Sequence, residues 1–73
     1  MNERTEMMAD MVKSLALLLL ERDKNLTMEQ ALSIVFNSDT YRKVTDVRTR
    51  FYYQSPRYVF AFLDEEIRNG KLL

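Results

Sequence analysis

The chain has 73 residues, with eleven basic and eleven acidic side chains, 47% hydrophobic residues, one glycine, one proline, no cysteine and no histidine. Those two absences remove disulfides, Cys/His metal centres, thiolate nucleophiles, serine–histidine couples and histidine pH switches together. A formal net charge of zero argues against strong nonspecific attraction to nucleic acid or to an anionic membrane.

Residues 5–24, "TEMMADMVKSLALLLLERDK", read as a first helix. At about 100° per residue Met7, Met8, Met11, Val12, Leu15, Leu18 and Leu19 share the inner side, opposite Asp10, Lys13, Ser14 and Glu21. Four consecutive leucines point all round this helix, leaving Leu17 on the polar side and Leu20 at its border. Such exposure is either tolerated or a contact with a second copy of the chain. Asn25 is placed to close the helix in a left-handed conformation.

Thr27 with Gln30 forms a capping box, Leu26 stands at the hydrophobic-staple position, and a second helix follows over 28–37. Met28, Ala31, Leu32, Val35 and Phe36 form its inner stripe, flanked by Ile34. "NSDT" at 37–40 restarts the chain. The third helix is expected to run to residue 51 with Tyr41, Val44, Val47 and Phe51 inward, although three Thr and two Val make it a weak helix former. The last helix is the best signalled: Ser55 caps, Pro56 takes the first turn and Gly70 ends it. Val59, Phe62, Leu63 and Ile67 form its stripe, with Tyr58 and Phe60 at the margins and Glu66 intruding. The expected fold is all-α, a compact bundle of about four short helices in one domain, 1–73. A core this small supplies no more than about 3–5 kcal/mol unaided, and self-association is the remaining support.

Targeting signals are not expected: Glu3, Glu6 and Asp10 stand where a secretory leader would be basic, and "LALLLL" at 15–20 is too short to span a bilayer. A cytoplasmic location without a membrane partner is the expectation.

Charge is uneven along the chain. Residues 1–40 carry four basic and seven acidic side chains, residues 41–58 five and one, residues 59–73 two and three. The basic segment overlaps "RTRFYYQSPRYVF", residues 48–60, where arginines and aromatic residues are crowded together. For Tyr52, Tyr53 and Tyr58 the plain expectation is a packed ring with its hydroxyl at the surface. One alternative is DNA or RNA binding by a helix-turn-helix-like pair, with Thr40, Arg42 and Lys43 entering the major groove and the basic segment 40–57 meeting phosphate. Another is an internal ion pair of Arg48, at the border of the third helix, with the inward Glu66.

Catalysis has the least support. Asp64, Glu65 and Glu66 radiate from one helix end and cannot share a proton as an acid–base pair does. No phosphate loop, metal-ligand spacing or nucleophile motif is present, so no enzyme, metal or cofactor is expected.

Read together, "LTMEQALSIVFNSDTYRKVTD" and "FYYQSPRYVFAFLDEEI" resemble a group of short bacterial helical proteins of unassigned function. The similarity covers residues 15–67 and rests on structural signals: a capped second helix, an Asn-Ser restart, an "SP-x-Y" segment and a last helix ending in acids. It implies a setting near toxin-like genes. Arg50 stands where the pattern leads one to expect glycine, leaving 47–53 open between helix and connector. The expected function is protein–protein interaction, with homodimerisation first, through Leu17, Leu20, Arg50, Tyr52, Tyr53 and Arg57.

Overall fold

The computed structural model describes residues 2–70, and each helix in it starts at a side chain able to accept a backbone N–H. Asn2 opens α1 (Glu3–Arg22) by accepting from the Thr5 amide at 2.8 Å. Thr27 opens α2 (Met28–Phe36) through the expected reciprocal box with Gln30, at 3.1 and 2.9 Å. Ser38 opens α3 (Asp39–Val44), and Ser55 opens α4 (Pro56–Arg68) with proline in the first turn. Each such cap is worth about 1 kcal/mol. Four α-helices and no strand are found among the described residues, and the fold is all-α and compact as expected. No helix there is long and apolar enough to cross a membrane.

Three helix boundaries differ from expectation. Asn25 is not left-handed: among the described residues positive φ is confined to Arg50 and Gly70. α1 closes instead at Asp23, whose amide donates to the Leu19 carbonyl at 2.8 Å while its carboxylate accepts from the Asn25 amide at 3.0 Å. α1 also begins two residues earlier than periodicity suggests, because Asn2 supplies a cap there.

The largest difference is in α3, which stops at Val44 rather than running to residue 51. The Thr45 hydroxyl turns back onto the Tyr41 carbonyl at 3.0 Å, a local bond that competes with helix continuation. Asp46 then accepts from the Arg48 amide at 3.0 Å, and the Thr49 hydroxyl bonds the Lys43 carbonyl. Arg50 follows at φ 57°, ψ 24°, and a short 3-10 turn covers Phe51–Tyr53. Residues 47–50 are therefore a turn that leads into a single 3-10 turn at 51–53 rather than a continuation of α3, and Val47, placed inside by the pattern, is 42% exposed.

α1 supplies half of the buried apolar core, Met11, Val12, Leu15, Ala16 and Leu19, against Ala31 and Val35 of α2, Val44 of α3, and Val59 and Leu63 of α4. Gly70, at φ 73°, ends α4 as the sequence indicates.

A left-handed conformation disfavours any residue with a Cβ, and the exposed Arg50 side chain does not offset this by burial. Arg50→Gly is expected to stabilise the fold by about 0.5–1 kcal/mol, a rise of about 3–6 °C in thermal midpoint. A fall in midpoint would show that the arginine side chain itself contributes stability.

Candidate functional site

The inward carboxylate of α4 does not meet Arg48. Glu66 is buried, and it accepts the Asp39 amide at 2.8 Å on Oε2, the Thr40 amide at 2.7 Å on Oε1, and the Thr40 hydroxyl. With the Ser38 hydroxyl accepting from the Tyr41 amide at 2.9 Å, the first three amides of α3 are satisfied. The expected Arg48–Glu66 pair is thus corrected. Ending α3 at Val44 carries Arg48 out to the surface, where its guanidinium grips Asp46 at 2.9 and 3.0 Å. That contact holds the Asp46 carboxyl below its ordinary range and raises Arg48.

Burial pushes the Glu66 carboxyl up, but the Thr40 hydroxyl, the Asp39 and Thr40 amides and the nearby Lys43 charge together bring it below the ordinary glutamate range. Lys43 is itself held by rings, its ammonium 5.3 Å from the centre of Phe62 and 5.9 Å from that of Phe51.

These contacts decide several expected roles. Thr40 is 1% exposed and bound to Glu66, so it has no reach into a DNA groove, and Arg42 sits on Asp39 at 3.3 Å. The consecutive acids are separately occupied: Asp64 bonds Arg22 and lies 3.1 Å from Arg68, Glu66 bonds α3, and Glu65 is exposed.

The expected interaction residues fall in different places. Leu17, 46% exposed, borders a depression with Leu18, Pro56 and Arg57, and Arg57 reaches toward Glu21 at 3.8 Å. Tyr52 and Tyr53 stand over Asn2, Arg4 and Met7 at the other end of α1. Leu20 is half-buried against the core, and Arg50 is exposed at the strained turn.

A more apolar opening lies elsewhere among the described residues. A groove of about 500 Å³ runs between α1, α2 and the start of α3, bounded by Thr5, Met8, Ala9, Val12 and Lys13, by Met28, Leu32 and Phe36, and by Tyr41 and Thr45. Phe36 is 51% exposed and Met28 39%. Phe36 stands edge-on to Tyr41 with ring centres 5.2 Å apart. The α2 pattern placed both Met28 and Phe36 in the core. The missed signal is width: six apolar side chains on nine residues make a broader stripe than α1 alone covers, and α3 is too short to cover the rest.

Compared with known proteins, the chain matches no family model, and no characterised protein or solved structure matches it either.

Replacing Glu66 with Gln puts an N–H₂ group against backbone donors in a buried place, and charge-assisted bonds of this kind are worth about 1.5–3 kcal/mol. Glu66→Gln is expected to lose about 2–3 kcal/mol at neutral pH. Because the folded carboxyl lies below its unfolded value, its contribution is fully present above about pH 4.3 and is lost as pH falls through the folded value. Urea unfolding at a series of pH values should therefore show wild type converging on the variant in acid; parallel curves would contradict the assignment.

Proposed function

We propose that the chain is a protein–protein interaction module that self-associates through the groove between α1, α2 and α3. The carrying observation is the exposure there of Met28 and Phe36, beside Met8, Leu32 and Tyr41. Methionine and aromatic side chains are the types that supply adaptable contact area in helix recognition. A second copy as occupant agrees with the small core, for which self-association is the remaining support in a chain without cysteine. A toxin–antitoxin-type setting is the cellular context proposed with it.

Nucleic-acid binding is the competing reading, and the burial of Thr40 counts against its helix-turn-helix form. The exposed Arg42, Lys43, Arg48, Arg50, Tyr53 and Arg57 are left to carry it.

Light scattering over a concentration series should give a dimer for wild type. Phe36→Asp should be monomeric at the same concentrations while keeping its helical circular dichroism, since that ring is half exposed. Wild type that stays monomeric at millimolar concentration, or retards nucleic acid at low salt without dimerising, would overturn the proposal.

A further inference from the structure

We propose that two copies meet through α1, crossing antiparallel beside Ala9, with Lys13 of each copy facing Glu6 of the other. This rests on the self-association reading and adds a register to it.

The groove wall formed by α1 has Lys13 as its charged member and the exposed Ala9 between Thr5 and Lys13. A side chain ending at Cβ lets a second helix come close, and the flanking Met8 offers an adaptable surface beside it. Glu6 lies seven residues before Lys13, so at about 100° per residue the two fall about 20° apart on one stripe, whereas Asp10 is turned about 60° further from the groove than Lys13. Both Glu6 and Lys13 are exposed, and among the described residues neither takes part in an ion pair.

A two-fold axis makes residue i of one copy meet residue j of the other, and j meet i. An antiparallel crossing centred between residues 9 and 10 places Lys13 opposite Glu6 and Glu6 opposite Lys13 in one operation. A parallel crossing would place Lys13 against Lys13 and Glu6 against Glu6. The charges on this stripe therefore select the antiparallel arrangement, and Phe36 and Met28 stand beside it to cover the incoming helix. A standard interface takes about 800 Å² from each partner, roughly a sixth of the 5145 Å² exposed here.

Sedimentation equilibrium of the full chain at low salt tests this with Lys13→Glu, Glu6→Lys and the double exchange, circular dichroism confirming the fold of each. Each single reversal creates two like-charge contacts by symmetry and should weaken dimerisation by about tenfold or more. The double exchange should return to within about threefold of wild type. If wild type dimerises but the singles are unaffected, or the double exchange stays as weak as the singles, the crossing is wrong while self-association stands. Wild type without a dimer at any concentration removes the underlying reading as well.

Discussion

The carboxylate of Glu66 is the contact on which the architecture turns. An isolated helix shorter than about 12–15 residues is marginal in water, and α3 has six. It persists because its first three amides have partners, two of them supplied by a side chain 26 and 27 residues further along the chain. The charge is tolerable where it sits because several N–H and O–H groups converge on it and a helix start carries partial positive charge. In return, α4 is fixed to α3 by a directional contact in a small apolar core that would otherwise let the two slide. Among the described residues no buried side-chain nitrogen or oxygen is left without a partner, so this polar junction is complete.

That junction also explains where apolar surface remains. With α3 held at its first turn and stopped at Val44, the chain turns away through Thr45–Thr49 toward α4 and leaves the outer ridge of α2 uncovered. Ala31 and Val35 are fully buried, whereas Met28 and Phe36 on the same helix are open. The groove is thus a consequence of a short third helix. A longer α3, as the spacing Tyr41, Val44, Val47, Phe51 suggests, would have altered that wall of the molecule.

Legibility in the sequence followed the range of the interaction. Contacts between residues three or four apart could be read directly: the Thr27–Gln30 box, the Ser55–Pro56 start and the Gly70 stop all stand where the residue types indicate. Glu66 was legible as an anomaly, an acid in an apolar stripe, but its partner was not. An arginine announces itself as a mate for a carboxylate; the amides of Asp39 and Thr40 carry no mark in a sequence, and their availability depends on where a helix begins. The end of α3 was hidden for a related reason, since the Thr45 and Thr49 hydroxyls stop it through carbonyls that any residue possesses. The exposed position of Met28 and Phe36 required knowing how long the neighbouring helix is, a tertiary quantity.

The same arrangement bears on what the basic segment can do. Its five basic side chains look like a field for phosphate, yet two of them stand in short-range pairs, Arg42 on Asp39 and Arg48 on Asp46, and Lys43 lies over two rings near Glu66. Arg57 is drawn toward Glu21. Charges paired at such short range add little to the long-range potential that steers polyanions, and what remains unpaired is Lys43 and Arg50. The unneutralised opposites on α1, Glu6 and Lys13, lie instead beside exposed apolar surface, where burial supplies affinity and charge supplies register. For a chain of zero net charge and narrow core, recognition is better supported through that face than through the segment richest in arginine.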